Sequence, residues 1–185
     1  MSTPGAGPFG PGVDRFDERI DALLEQVRGN PALDKLMTAA TRAGEFSAIW
    51  HVLGLARGLA KGRHDQIIAL ALGLGTESLI LNQGLKRIFR RERPTEAGDE
   101  RFEIRKPLTS SFPSGHASAA AMAAITLIRW DGKQSIPLWG GVAALVALSR
   151  PYVRIHYASD IVGGVVAGTA MAAVAKRIFR ALGVE

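Results

Sequence analysis

The stretch SSFPSGHASA, residues 110–119, sets a serine, a glycine and a histidine directly before an alanine-rich segment. Ser114 is a favourable helix N-cap, and Gly115 lets the backbone approach a ligand closely. Because the first N–H groups of a helix are unpaired and its dipole adds partial positive charge, an anion is favoured there. His116, in the first turn, is placed to exchange a proton beside that anion. The pattern predicts an anion site, although the same residues also fit a simple capped helix with a surface histidine.

A basic run, KRIFRRERP at residues 86–94, offers fixed positive charge for such an anion. Lys86 and Arg93 lie two helical turns apart, so on a helix they share a face, with Cα atoms about 10 Å apart along the axis. We expect the helix to end at Pro94, with both long side chains converging on one anion beyond that end. Taken alone, the run also fits a solvated basic surface.

A second histidine stands in SRPYVRIHYASD, residues 149–160, where His156 precedes Asp160 by one helical turn. On a helix or across its cap, the carboxylate then accepts a hydrogen bond from one imidazole nitrogen and leaves the other as a nucleophile or base. Arg150 follows an apolar segment and adds fixed charge, and Ser159 is the expected cap of the last helix. For this stretch alone, a structural His–Asp pair is the alternative.

Together the three stretches supply what phosphoryl transfer without a metal requires: donors for the phosphate oxygens, an in-line nucleophile and an acid for the leaving group. Their order, Lys-x6-Arg-Pro, then Pro-Ser-Gly-His, then Ser-Arg-x5-His-x3-Asp, resembles the type 2 phosphatidic acid phosphatase (PAP2) superfamily. That superfamily includes lipid phosphate phosphatases, bacterial class A acid phosphatases and vanadium haloperoxidases. The resemblance runs from Lys86 to Asp160 and does not extend to the part of the chain before about residue 30.

The resemblance implies an all-α bundle with the three motifs at one end of its helices. It also implies that His156 is the nucleophile that forms a phosphohistidine and that Asp160 orients it. His116 is then the general acid for the leaving group and afterwards the base that activates water. The phosphate cradle that the resemblance implies consists of Lys86, Arg93, Ser114, Gly115 and Arg150. No cofactor or metal is implied, and vanadate is expected to bind as a mimic of pentacoordinate phosphorus.

Helices are also what the rest of the sequence predicts, since no convincing strand pattern is present. We expect a Gly/Pro-rich disordered tail at residues 1–13, an amphipathic helix at 14–30 and the phosphatase domain at 31–185. That domain is expected to be a membrane-embedded bundle of about five to six helices. The helix candidates within it are residues 31–46, 47–60, 65–85, 117–128, 136–148 and 161–175.

The amphipathic helix has one apolar face, formed by Phe16, Ile20, Leu23, Leu24 and Val27. Acidic and basic residues occupy the opposite face, and this mixed charge favours packing on the domain or on a partner over simple lipid binding. The alternative is a helix that lies on a membrane surface.

The composition by itself does not decide between a membrane and a soluble protein, since 47% of the 185 residues are hydrophobic and the net charge is +6. The chain has no cysteine, which excludes disulfides, thiol nucleophiles and cysteine–zinc sites. A span needs about 20 apolar residues, with a lower limit of about 17, and four segments after residue 64 approach this length. Their Gly and Ala content allows close packing in lipid, which favours a membrane bundle over a soluble one.

We therefore expect a multi-pass protein of the cell membrane that hydrolyses a lipid-linked phosphate or diphosphate. The candidate substrates are polyprenyl phosphates and diphosphates, polyprenyl-linked sugar phosphates, phosphatidic acid and phosphatidylglycerol phosphate. Lipid phosphate and membrane are the expected partners, nucleic acid is not, and a homo-oligomer is left open. The alternatives are a soluble acid phosphatase or haloperoxidase-like protein with the same pocket, and a non-catalytic basic module that binds anionic lipid. His51 and His64 are expected to have no catalytic role.

Overall fold

The computed structural model describes residues 7–94, 99, 101, 102, 104 and 109–184, and within these ranges the secondary structure is helical, without strands. The all-α prediction is therefore confirmed. The helices are α1 (Pro11–Glu25), α2 (Pro31–Ala43), α3 (Ala48–Ala60), α4 (His64–Leu79), α5 (Gly115–Asp131), α6 (Ile136–Tyr152) and α7 (Ala158–Ala181). Helix α4 continues through a π-helical segment, Ile80–Leu85, into a last short turn, Lys86–Ile88.

Helix α5 forms the centre of the bundle because its residues are small and apolar, with Ala117, Ala120 and Ala123 almost fully buried. It packs against α7 at Gly164 and Gly168, where an added Cβ would collide with backbone oxygens of α5 or its N-cap. Such close backbone contact is typical of small residues at helix interfaces in membranes. The contact fixes the beginnings of α5 and α7 side by side, which is where two of the three motifs lie.

The apolar core lies farther along the bundle, away from the motifs. Large side chains of four helices, α3 to α6, fill it, and among them Trp50, Leu74, Leu127 and Trp139 are at most 5% exposed. A smaller cluster around Tyr152 and Ile155 supports the loop between α6 and α7. The motifs therefore lie between two apolar clusters, the main core and the cluster around Tyr152 and Ile155.

Helix α1 begins at Pro11, inside the stretch predicted as a disordered tail, and residues 1–6 of that prediction lie outside the described residues. The helix packs on α6 and α7, but with its charged face. Asp17 is buried, whereas Phe16 and Leu23 of the apolar face are 43% and 54% exposed. Ion pairs with arginines of the bundle explain this orientation, because the carboxylates of α1 lie opposite those arginines.

Two helices are long and apolar enough to cross a membrane by length and composition: His64–Ile88 and Ala158–Ala181, with mean hydropathies of 1.3 and 1.5. These correspond to two of the four predicted spans. Helices α5 and α6 have 17 residues each, the lower limit of about 17 for a span. Large aliphatic side chains of the two candidate spans face outward, among them Ile68, Leu72, Leu79, Val162, Val166 and Val174.

The first motif is less helical than expected. We expected a helix up to Pro94, but it ends at Ile88, and Phe89 is already extended. Hydrogen bonds to the second motif replace the helical ones: the N–H of Arg91 donates to Ser110 Oγ at 3.0 Å, and its carbonyl accepts from the N–H of Ser111 at 2.9 Å. Lys86 and Arg93 therefore do not share a helix face, since Arg93 belongs to a non-helical segment.

The cap of the last helix also differs from the prediction. Tyr157 is the N-cap residue of α7, and Ser159 lies inside the first turn instead of capping it. Asp160, at the third helical position, accepts a hydrogen bond from the N–H of Tyr157 at 2.8 Å. The carboxylate therefore helps to begin the helix as well as to contact His156.

Candidate active site

The three motifs meet at one end of the bundle around a cavity of about 350 Å³. The end of α4, the beginning of α5, the end of α6 and the loop before α7 each contribute to its wall. The polar side chains in this wall are Glu45, Ser47, Glu77, Ser78, Asn82, Lys86, Thr109, His116, Arg150 and His156. Neither His51 nor His64 lines it; both are exposed, on α3 and at the beginning of α4.

The His156 ring is held from both sides, and its partners fix its tautomer. Nδ1 lies 3.3 Å from Oδ2 of Asp160, and Nε2 lies 3.2 Å from a terminal nitrogen of Arg93. A guanidinium only donates hydrogen bonds, so Nε2 accepts and carries the lone pair. The proton is then on Nδ1, directed at the carboxylate, which leaves Nε2 in the form that a nucleophile needs.

Burial keeps the imidazole of His156 neutral. The residue is 3% exposed, and removal from water lowers its pKa to about 3, with further lowering by the charges of Arg150 and Arg93. The hydrogen bond with Asp160 acts in the opposite direction but does not outweigh burial. At neutral pH the ring is therefore uncharged and its lone pair is available.

The carboxylate of Asp160 is fully buried and is surrounded by hydrogen-bond donors. Oδ2 accepts from Ser111 Oγ and from the N–H of Tyr157, in addition to its contact with His156. Oδ1 accepts from Arg91 at 2.7 Å. Because both oxygens are hydrogen-bonded, the carboxylate has one orientation. Its contact with Nδ1 in turn orients the ring of His156.

The three predicted cationic residues, Lys86, Arg93 and Arg150, lie at the same end of the bundle as His156. Arg93 donates to the carbonyl oxygens of Ile155 at 2.6 Å and Thr109 at 3.1 Å. Lys86 Nζ donates to the Thr109 hydroxyl at 3.2 Å. It also lies over the beginning of α5, because a Cβ placed on Gly115 would be 3.9 Å from it.

Arg150 is 1% exposed. Its Nε and one terminal nitrogen have no hydrogen-bond partner among the described residues. Leaving charged donors buried and unpaired is costly, so a folded protein keeps them where an anion binds or where catalysis needs them. The site therefore has a cation whose hydrogen-bonding capacity the described protein groups do not satisfy.

The beginning of α5 has the predicted N-cap geometry. Ser114 has extended backbone angles, and its hydroxyl accepts from the N–H of Ala117 at 3.4 Å. The N–H of Ser114 itself donates to the carbonyl of Asp160 at 3.0 Å. This bond joins the second motif directly to the third and places the helix terminus beside His156.

The second histidine, His116, is anchored by helix α2. Its Nε2 lies 3.2 Å from the carbonyl oxygen of Thr41, and since a carbonyl only accepts, Nε2 carries a proton. The nitrogen left for proton exchange is Nδ1. The ring also packs against Gly44, where an added Cβ would lie 2.5 Å from His116 Cδ2.

We expect Gly44→Ala to lower kcat about 100-fold without unfolding the protein. The backbone of Gly44 is right-handed helical (φ −77°, ψ −10°) and accepts alanine, but the new methyl group would also lie 2.9 Å from Val146. The ring of His116 then has to move, and a shift of about 1 Å in a reacting group costs about 100-fold. The measurement is steady-state phosphate release beside the control Gly75→Ala, whose Cβ meets nothing within 4 Å. Equal rates for the two variants would contradict the prediction.

The eight site residues singled out from the sequence thus lie together, but several of their partners were missed, among them Ser111, Arg91 and Thr41. Ser111 and Arg91, which fix Asp160, stand in the quoted motifs among residues of the same type, and spacing did not distinguish them. Thr41, which anchors His116, lies in a helix far from the motifs along the chain and acts through its backbone oxygen. No sequence signal marks a carbonyl of this kind.

The sequence matches a protein family and several named relatives. Residues 66–183 match the model of the PAP2 superfamily. Decaprenylphosphoryl-5-phosphoribose phosphatase of Mycolicibacterium smegmatis is 32% identical over 151 residues, 80% of each chain. Phosphatidylglycerophosphatase B of Bacillus subtilis is 30% identical over 82% of this chain and 77% of its own length.

A solved structure shares the fold as well. The transmembrane PAP2-type phosphatidylglycerolphosphate phosphatase from Bacillus subtilis superimposes with a TM-score of 0.70 at 27% identity, over 91% of this chain and 87% of that one. Together with the two candidate spans, this likeness indicates a membrane protein. The family match covers all three motifs, and these relatives are phosphatases. The chain therefore belongs to the PAP2 superfamily, in its phosphatase branch.

Proposed function

We propose that this protein hydrolyses a lipid-linked phosphate or diphosphate without a metal, through a phosphohistidine on His156. The observation that carries the proposal is the buried guanidinium of Arg150, whose Nε and one terminal nitrogen have no partner among the described residues. It lines the same cavity as His156 and His116. A phosphate group is an anion that satisfies such donors with charge-assisted hydrogen bonds.

In the first step, Nε2 of His156 attacks phosphorus, and the bond from phosphorus to the leaving oxygen breaks. The electron pair stays on that oxygen, which takes the Nδ1 proton of His116; His116 enters this step as the imidazolium, protonated on both nitrogens. Arg93 already donates toward Nε2 of His156, and once phosphate is bound its N–H groups serve the phosphate oxygens. Lys86, Arg150 and the beginning of α5, with Ser114 and Gly115, supply the remaining charge and donors.

In the second step, water attacks the phosphohistidine while His116, now neutral, takes a proton from that water. The bond from Nε2 of His156 to phosphorus breaks, and inorganic phosphate leaves. Asp160 stays ionised throughout and stabilises the imidazolium form of His156 by its contact with Nδ1. Positive protein side chains thus do the work that a metal ion does in other phosphatases.

Two observations favour a lipid-linked substrate: the apolar outer surface of the bundle and the names of the relatives. The cavity lies at the end of helices whose outer faces are apolar, so a substrate with a lipid tail reaches it from the membrane. We propose that α4 to α7 all cross the bilayer, with α5 and α6 near the minimum length for a span. A polyprenyl-linked sugar phosphate, as in the name of the Mycolicibacterium relative, is our first candidate.

Phosphate release by detergent-purified protein in the presence of EDTA tests this function. The panel contains a polyprenyl-linked sugar phosphate, prenyl phosphates and diphosphates, phosphatidic acid and phosphatidylglycerol phosphate. We expect release from at least one, fastest from the phosphosugar, and inhibition by orthovanadate. Release that stops with EDTA and returns with Mg²⁺ would refute the metal-free mechanism. No release from any member of the panel would refute the lipid phosphatase.

A further inference from the structure

We infer that Arg91 and Asp17 are positioning residues: Arg91 fixes the carboxylate of Asp160, and the N-terminal helix α1 holds Arg91 through Asp17. The inference rests on the proposed function, in which Asp160 orients the nucleophile His156. It adds a part of the chain that the family match, residues 66–183, does not include. Helix α1 is on this view part of the active site.

The contacts of Arg91 are short and buried. One terminal nitrogen lies 2.7 Å from Oδ1 of Asp160, and the other lies 2.7 Å from Oδ2 of Asp17. The side chains of these three residues are 4%, 0% and 5% exposed. The guanidinium carbon is also 4.0 Å from the ring centroid of Tyr157. Ion pairs this well buried and hydrogen-bonded hold one geometry, unlike exposed pairs.

Arg91 acts on the oxygen of Asp160 that does not face the histidine. Oδ2 contacts His156, and Oδ1 contacts Arg91. A carboxylate held only at Oδ2 turns about its Cβ–Cγ bond, whereas one held at both oxygens does not. Arg91 therefore determines the direction from which the carboxylate meets Nδ1 of His156, although the hydrogen bonds of the Arg91 guanidinium within the described part of the chain go to Ser159, Asp160 and Asp17.

Asp17 joins α1 to the helix that carries Asp160. Its Oδ1 accepts from the N–H of Ser159 at 2.7 Å, and its Oδ2 accepts from the Ser159 hydroxyl at 2.6 Å. The carboxylate thus lies at the N-terminus of α7, where negative charge is favoured. It also pairs with Arg91, so that Arg91 has two carboxylate partners, Asp17 and Asp160.

Helix α1 provides a matched control in Asp21, one turn after Asp17. Asp21 pairs with Arg28 at 2.6 Å and with Arg154 at 3.1 Å, but its side chain is 47% exposed. None of its hydrogen bonds within the described part of the chain reaches Arg91 or Asp160. Loss of its charge weakens the docking of α1 without disturbing Asp160.

The first test is steady-state kinetics with the best substrate of the panel. Arg91→Met is expected to lower kcat about 100-fold while KM changes less than about twofold, since it misplaces a reacting group and removes no contact to substrate. Arg91→Lys is expected to recover part of the loss, and Asp17→Asn to lower kcat about tenfold. Asp21→Asn is expected to stay within about twofold of the unmodified protein.

A double variant separates positioning from mere stability. If Asp17 acts through Arg91, then Asp17→Asn combined with Arg91→Met is no slower than Arg91→Met alone, because coupled residues are not additive. Losses that multiply would overturn the relay from Asp17 to Arg91. Arg91→Met that melts at a lower temperature yet keeps its kcat would make Arg91 purely structural.

A readout without turnover keeps this inference separate from the proposed reaction. The chain has four histidines, so ring-¹⁵N NMR of the detergent-solubilised protein resolves His156, assigned by its loss in His156→Ala. We expect Arg91→Met and Asp17→Asn to shift the His156 signals, and Asp21→Asn to leave them in place. Unchanged His156 signals in Arg91→Met would overturn the inference whatever the rate. Shifted signals in a protein that hydrolyses nothing on the panel would support the relay and refute the proposed function alone.

Discussion

His156→Ala is expected to lower kcat at least about 1,000-fold and to abolish the covalent phosphoenzyme. The alanine variant has no nucleophile, while Lys86, Arg93, Arg150 and the beginning of α5 still bind the phosphate group. Loss of a covalent nucleophile typically costs several orders of magnitude, with a residual rate from binding and charge stabilisation alone. KM is therefore expected to change much less than kcat.

Rapid quenching after a pulse of ³²P-labelled substrate measures the intermediate directly. The unmodified protein should carry label that survives alkali and is lost in acid, as a phosphoramidate does, and His156→Ala should carry none. His64→Ala serves as the control, since His64 is exposed at the beginning of α4, away from the cavity. Label that remains in the His156→Ala variant would place the nucleophile elsewhere.

The motifs could be located from sequence because each depends on local chemistry. A serine N-cap followed by glycine and histidine specifies a helix terminus whatever surrounds it, and Ser114 has that geometry. The spacing of His156 and Asp160 likewise brings the two side chains together across the first turn of α7. Local rules of this kind predicted the helices and the cap at Ser114, although they misplaced the cap of α7, which is Tyr157.

The predicted helix over KRIFRRERP was wrong because residues distant along the chain form hydrogen bonds with its backbone. The sequence KRIFRRERP suits a helix, yet the N–H and carbonyl of Arg91 bond to Ser110 and Ser111. These partners are about 20 residues away, and no helical propensity of the run reveals them. Helical spacing for Lys86 and Arg93 was the wrong argument, although both side chains reach the same site.

Helix α1 packs on the domain, as its mixed charge predicted, but its apolar stripe does not indicate the face with which it packs. Hydrophobic periodicity normally identifies the buried face, but α1 faces the bundle with Asp17, Asp21 and Glu25. The bundle offers arginines at that place: Arg91 pairs with Asp17 at 2.7 Å, and Arg154 pairs with Asp21 at 3.1 Å and with Glu25 at 2.9 Å. Arg28, in the turn after α1, adds hydrogen bonds to carbonyls of α6 at 2.8 and 2.9 Å. Which face is buried thus depends on what the partner surface carries, and α1 alone does not contain that information.

Arg150→Met is expected to separate activity from stability. Removal of one preorganised donor to developing phosphate charge costs about 100- to 1,000-fold in kcat. Stability should not fall with it, because Arg150 buries a charge whose Nε and one terminal nitrogen lack partners among the described residues. An apolar side chain of similar length in such a place is neutral or stabilising. The measurements are kcat and Tm in the same detergent.

Arg57→Met is expected to give the opposite result, with stability lost and activity kept. The side chain of Arg57 is 9% exposed, but it binds Asp131 through Nε at 3.0 Å and through a terminal nitrogen at 2.9 Å, outside the three motifs. Its loss leaves a carboxylate with fewer partners, so Tm falls, by about 2–4 °C for each kcal/mol lost, while kcat is unchanged. A fall in Tm for Arg150→Met as large as for Arg57→Met would mean that Arg150 holds the fold together. A loss of kcat with an unchanged Tm would mean instead that Arg150, with two donors unpartnered among the described residues, serves the bound phosphate.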